Sequence, residues 1–131
     1  MTTLELSTTA HSQFIDITAQ LQALVTRSGV KSGLCHLFVP HTTAAIVVNE
    51  HDDPAVTADI GNYLDKLVPE NHGYQHAEGN APAHIKASLL GNSLSLMIEG
   101  GQLVLGTWQG VFFCEFDGPR QRRVLVKIGV G

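Results

Sequence analysis

Apolar and polar residues alternate, run together or recur at helical spacing in different stretches of the chain, and each pattern predicts a different element. Leu4-Glu5-Leu6 and Phe14-Ile15-Asp16-Ile17 alternate with period two and read as a β-hairpin with one wet face. Thr18 stands where it can cap a short helix reaching about Ser28, with Leu21, Leu24 and Val25 on one face and Gly29 as its stop. Leu34–Val39 and Ala44–Val48 are nearly unbroken apolar runs, consistent with strands buried on both faces, and Pro40 separates them. Asp52-Asp53-Pro54 opens a helix, because an acidic cap is followed by a proline whose missing N–H costs nothing there. Val56, Ile60, Leu64 and Leu67 give that helix an apolar stripe up to Pro69. Residues 69–80, with Gly73 and Gly79, read as a loop. Asn80-Ala81-Pro82 then opens another helix, with Ile85 and Leu89 inward and Gly91 past its end.

From Ser93 the period returns to two: Leu94, Leu96 and Ile98 alternate with Ser93, Ser95 and Met97, and Gly100-Gly101 makes a turn. Leu103–Leu105, Gly110–Asp117 and Arg122–Val130 follow as strands, the last two joined across Gly118-Pro119. The sum is an α+β chain of mostly antiparallel strands and few helices. Its 131 residues suit one domain over 1–131 with a single core. No GxGxxG or Walker sequence follows a strand, which counts against a nucleotide-binding α/β fold.

Composition narrows the classes further. At 44% hydrophobic and 15% charged, the chain is no disordered tail, and its net charge of −4 argues against a dedicated nucleic-acid binder. No apolar run approaches the roughly 18–20 residues that cross a bilayer. The opening MTTLELSTTAHSQF lacks the basic and apolar regions of a signal peptide, so a cytoplasmic protein without a membrane partner is expected. Cys35 and Cys114 lie in apolar runs without framework spacing and read as buried thiols. Charge is also unevenly placed. Residues 1–105 carry four basic and ten acidic groups, a balance of −6, whereas 106–131 carry Arg120, Arg122, Arg123 and Lys127 against Glu115 and Asp117, a balance of +2. A local basic patch on an acidic chain suits a small anionic ligand better than a polymer.

Seven histidines are many for so few charges. His11, His51 and His72 read as solvated surface residues, and His36 as a core histidine. His41 follows Pro40 at the end of a predicted strand, His76 lies in the glycine-containing loop, and His84 falls in the first turn of the helix after Asn80. A helix N-terminus favours a neutral over a protonated imidazole, and the neutral form binds metal. Three such imidazoles could hold zinc with a fourth position open, and Glu50 could act beside them as base or supporting partner. The spacing matches neither HExxH nor a zinc finger. In Glu115-Phe116-Asp117-Gly118-Pro119-Arg120, the two carboxylates share one face of an extended strand. Phe112, Cys114 and Phe116 take the other. Asp117 and Arg120 could close a hairpin end, or Arg120 could offer its planar fork to a phosphate or carboxylate. Trp108 is an apolar anchor or a stacking surface, and Thr42 and Thr43 place hydroxyls beside His41.

Taken in order, His41-Thr42-Thr43-Ala44-Ala45, Asn49-Glu50, Asn80-x-x-Ala83-His84-Ile85-Lys86, Leu105-Gly106-Thr107-Trp108-Gln109 and Glu115-x-Asp117-Gly118-Pro119-Arg120 closely resemble the YjbQ-like family. That family is often labelled secondary thiamine-phosphate synthase, and the match runs over essentially the whole chain. The resemblance implies a compact α+β subunit with a bent, mostly antiparallel β-sheet or sandwich and a few short helices, assembled as a homotrimer. It also implies a divalent metal, usually zinc, held by His41, His76 and His84. Thr42, Thr43, Trp108 and Asp117 would line the ligand site, with Glu50, Glu115 and Arg120 as its catalytic groups.

Three readings follow. A metal-dependent enzyme on small phosphorylated substrates, joining a pyrimidine diphosphate to a thiazole phosphate, needs neutralised leaving-group charge and a water-poor site. A zinc hydrolase of another small molecule needs an activated water and a base such as Glu50 or Glu115. A non-catalytic trimer would bind a metal or anion without turnover. A three-histidine site suits zinc rather than the Mg²⁺ of the dedicated synthases, which points to a secondary activity.

Overall fold

The computed structural model describes residues 1–131. Strands β1 (Thr2–Ser7) and β2 (Gln13–Asp16) lead into helix α1 (Thr18–Ser28), followed by β3 (Ser32–Phe38) and β4 (Ala44–Glu50). Helices α2 (Pro54–Leu67) and α3 (Ala81–Leu90) precede β5 (Ser93–Glu99), the short β6 (Gln102–Leu103), β7 (Gln109–Glu115) and β8 (Gln121–Val130). All pairings are antiparallel, in a five-stranded sheet ordered β1-β8-β3-β5-β6 and a three-stranded sheet ordered β2-β7-β4. The α+β class expected from the sequence is the class observed.

Two apolar layers hold this together. The first lies between the sheets: Leu37, Leu96, Ile98, Val124 and Val126 from one meet Ile46, Val111 and Phe113 from the other, with Leu21 and Val25 of α1. The second covers the far side of the small sheet, where Ala45, Phe112, Cys114 and Phe116 pack under Leu64 of α2 and Ala83 and Ala87 of α3. The alternation predicted along β7 therefore holds. Val111 and Phe113 face one layer, and Phe112, Cys114 and Phe116 face the other.

Local signals are met in part. Asp53 caps α2, its carboxylate accepting from the Ala55 N–H at 2.9 Å, with Pro54 in the first turn. Gly29 ends α1 in the left-handed conformation, with φ at 73°. Thr18 does not cap α1. Ile17 occupies that position, and the Thr18 hydroxyl donates to Asp16 instead, at 2.6 Å.

Four tertiary expectations are overturned. β1 and β2 form no hairpin, since β1 pairs with β8 and β2 with β7. β7 and β8 likewise belong to different sheets, so residues 116–120 turn a corner between sheets rather than close a hairpin. β3 is covered on one face only. Leu34, His36 and Phe38 stand exposed on the outer face, and His36 is a surface residue bonded to Ser95, at 2.7 Å, rather than a core histidine. In α3 the small residues face the sheet: Ala83 and Ala87 let the helix approach closely, while Ile85 and Leu89 point outward with Leu67 of α2. The inward face of α3 also holds Lys86, whose ammonium reaches Asp65 at 2.6 Å and lies 5.9 Å from the Phe116 ring centre. The strand predicted over Leu103–Leu105 is reduced to Gln102–Leu103.

Candidate functional site

His41 leaves the end of β3, and its Nε2 accepts the backbone N–H of Arg123 on neighbouring β8 at 3.0 Å. Burial, and then the positive charge of Arg122, hold its pKa below the ordinary histidine value, so the ring is neutral at pH 7. Across a cavity of about 490 Å³ stands His84, in the first turn of α3, with Thr42, Ser88 and Asn92 also lining the space. The His76 ring packs edge-on against His84 with centres 5.1 Å apart. The loop thus brings His76 against His84, and the chain after β3 places His41 on the cavity that His84 lines, though His76 itself does not line it. Within one chain no three His, Cys, Asp or Glu side chains converge into a metal-binding cluster.

One turn back along α3, Asn80 does not cap its helix through its side chain. Its amide donates to Asp117 Oδ2 at 2.9 Å, and Arg120 donates to the same oxygen at 2.9 Å and to the Asp117 carbonyl at 2.7 Å. Burial alone would raise the Asp117 pKa, but the bonds from Asn80 and Arg120 outweigh it and keep the carboxylate ionised. Asp117 thereby fixes Arg120 beside the N-terminus of α3. The guanidinium remains about half exposed, with Nη1 free of protein partners.

Beneath this surface lies a buried network. Glu115 is fully buried and accepts from Arg122 Nε at 2.8 Å, Arg122 Nη2, the Thr8 hydroxyl at 2.8 Å and the Asp117 N–H at 3.1 Å. Arg122 also donates to the Thr43 hydroxyl at 2.8 Å. Burial pushes the Glu115 pKa up, and the Arg122, Thr8 and Asp117 hydrogen bonds together with the Arg122 charge bring it below the ordinary value. The network ties Thr8, Thr43 and the start of β8 into one corner. Glu115 is engaged on every side, which makes it an anchor of the corner as placed.

The predicted site residues therefore divide. His41, Thr42 and His84 share the cavity and His76 packs against His84, while Asp117 and Arg120 lie by Asn80 at the N-terminal end of α3. Thr43 and Glu115 lie in the supporting network. Glu50 and Trp108 do not join them: β4 begins beside Thr43, and Glu50 is six residues along it, about 20 Å away at the usual strand rise. Trp108 sits at that far end, its carbonyl accepting the His51 N–H at 2.9 Å, with its side chain exposed. Sequence reasoning missed Ser88 and Asn92. The one signal was Ser88 falling four residues after His84, hence on the same helix face.

The family described as UPF0047 protein YjbQ-like matches residues 2–130. The chain belongs to the YjbQ/UPF0047 family. Its UPF0047 relative in Methanocaldococcus jannaschii is 48% identical over 124 residues, covering 95% of this chain and 90% of that protein. The UPF0047 protein YugU of Bacillus subtilis is 44% identical over 127 residues, with 96% of each chain covered. A crystal structure of a YjbQ/UPF0047 family protein from Clostridium acetobutylicum superposes with a TM-score of 0.96 at 53% identity, covering 98% of this chain and 100% of that one. A family member from Sulfolobus solfataricus gives 0.95 at 37% identity, with 99% and 96% covered. The two solved structures share the curled antiparallel α+β fold, and the names of all four relatives carry no activity.

Proposed function

We propose that this chain is a metal-dependent enzyme on small phosphorylated substrates, with thiamine-phosphate synthase-type transfer as its candidate reaction and zinc as its metal. The observation that carries the reading is that His41 and His84 line one cavity, with His76 packed against His84, while Asp117 pins the fork of Arg120 near the N-terminus of the same helix and leaves one edge open to a ligand.

The donor set fits zinc in its chemistry. His76 and His84 are paired imidazoles, and His41 is held neutral, the form that ligates. His41 has its Nε2 engaged with Arg123, so it would join through Nδ1 or by giving up that bond. A divalent ion there would supply positive charge beside a diphosphate. The chain's own part is to bind and orient: Arg120 takes a phosphate by its free edge, Thr42 offers a hydroxyl, and Asp117 keeps Arg120 from swinging away. A homotrimer belongs to the same proposal. Its support is the bare outer face of the five-stranded sheet, where Leu34, Phe38 and Met97 are exposed on adjacent strands and a second copy could cover them.

The test is zinc content per chain by plasma mass spectrometry for the parent, His84→Ala and His76→Ala, followed by turnover of an aminopyrimidine diphosphate with a thiazole phosphate. About one zinc per chain, lost in both variants, with turnover abolished in Arg120→Ala, is expected. No zinc in the parent after reconstitution would end the metal reading, and hydrolysis of simple esters without the transfer would move the assignment to a hydrolase.

A further inference from the structure

At the opposite end of β4 from the histidine cavity, a second oriented imidazole borders a separate groove. His51 Nδ1 lies 2.8 Å from Asp16 Oδ2. A carboxylate only accepts, so a proton sits on Nδ1, and in that tautomer the lone pair is on Nε2, which has no protein partner. Asp16 is fixed from behind, its other oxygen accepting the Thr18 N–H at 2.9 Å and hydroxyl at 2.6 Å, while Thr18 accepts the Val111 N–H at 2.9 Å. The ring is fixed as well. It lies so close over Gly110 that a Cβ there would overlap it, and the His51 N–H is held by the Trp108 carbonyl. His51, Asp16 and Thr18 line a groove of about 460 Å³ whose other walls include Ala19, Leu103 and Leu105.

A structural tie between β2 and the end of β4 would use Nδ1 alone. The arrangement goes further, placing a basic nitrogen with a carboxylate behind it at the edge of an apolar groove. We propose that His51, backed by Asp16, forms a second small-molecule site that takes a ligand carrying a weakly acidic hydroxyl on an apolar or aromatic body. The hydroxyl donates to Nε2, Asp16 steadies the charge that this draws onto the ring, and the body lies against Leu103 and Leu105. Nothing in this site overlaps the His41, His76 and His84 cavity, so the two stand or fall separately.

The test is titration of 4-fluorophenol followed by ¹⁹F NMR, with 4-fluoroanisole, which has no hydroxyl, as the paired probe on the parent protein. A saturable shift for the phenol at least tenfold tighter than for the anisole is expected, abolished in His51→Ala and weakened severalfold in Asp16→Ala. It should be unchanged in His84→Ala. Imidazole ¹⁵N shifts of the parent should assign His51 to the Nδ1–H tautomer. Equal binding of the two probes, an Nε2–H tautomer, or a phenol shift that persists in His51→Ala would each overturn the proposal, and the first two need no variant to fold.

Discussion

Replacing Arg122 by methionine isolates the energetics of the corner beneath the site. Methionine keeps much of the apolar stem, so packing changes little, but the Glu115 carboxylate loses both guanidinium donors. It is left, fully buried, with only the Thr8 hydroxyl and the Asp117 N–H. Removing one partner of a buried ion pair costs about 3–5 kcal/mol, because the remaining charge is uncompensated. With a urea slope of about 1–3 kcal/mol per molar, the midpoint should fall by at least 1 M. Far-UV circular dichroism at pH 7 and pH 5, at one protein concentration, measures it. The pH arm follows from linkage. In the parent, Glu115 titrates below its ordinary value, so its contribution is present above the unfolded pKa and lost as pH falls through the folded one. In Arg122→Met the lowering partner is gone and burial remains, so the folded carboxyl takes a proton more readily than the unfolded one. The gap between variant and parent should therefore narrow towards pH 5, and adding Glu115→Gln should recover about 2 kcal/mol. Equal midpoints at pH 7, or a gap of the same size at both pH values, would refute this account of the corner.

Two further outcomes test other parts of the fold. Burial pushes the Cys35 thiol up to about 11 and the Cys114 thiol higher still, so neither should react with a disulfide reagent at pH 8 until denaturant is added; prompt labelling of either would contradict their placement. Gly33 of β3 sits where an added Cβ would overlap the Gly129 carbonyl on β8, so Gly33→Ala should lower stability by about 1–3 kcal/mol in thermal unfolding, whereas Gly129→Ala, with nothing near its Cβ, should not.

Short-range signals were readable because their causes are short-range. Asp53-Pro54 and Gly29 mark helix ends through contacts within a few residues, and the alternation along β7 survives because that strand has an apolar layer on each side. Strand partners were not readable. Ser7 and Gln13 are close in sequence, which favours a hairpin, yet the intervening turn carries the chain from one sheet to the other. In α3, Ala83 with Ala87 and Ile85 with Leu89 have the same spacing, and only the closeness of the sheet selects the smaller pair as the inner face. The candidate site was legible wherever motif and backbone coincide, at His41, Thr42, His84, Asp117 and Arg120. Glu50 and Trp108 lie within the chain at the other end of β4 from the cavity, because a sequence says which residues share a strand but not which end of it faces a given space. His51 looked like a solvated histidine because its partner Asp16 is 35 residues away, across the small sheet.

The position of β8 has a bearing on how the chain is made. It follows β1 by more than a hundred residues, yet it lies between β1 and β3, and β1 has no other neighbour in its sheet. Thr2–Ser7 must therefore wait, unpaired, through the synthesis of more than a hundred residues before Gln121–Val126 arrive to receive it. The small sheet is delayed too, because its middle strand β7 ends at residue 115. A nascent chain without β7 and β8 leaves β1 apart from β3 and β2 apart from β4, and lacks the Glu115–Arg122 corner. Docking of β8 is thus the single event that brings β1 into the fold.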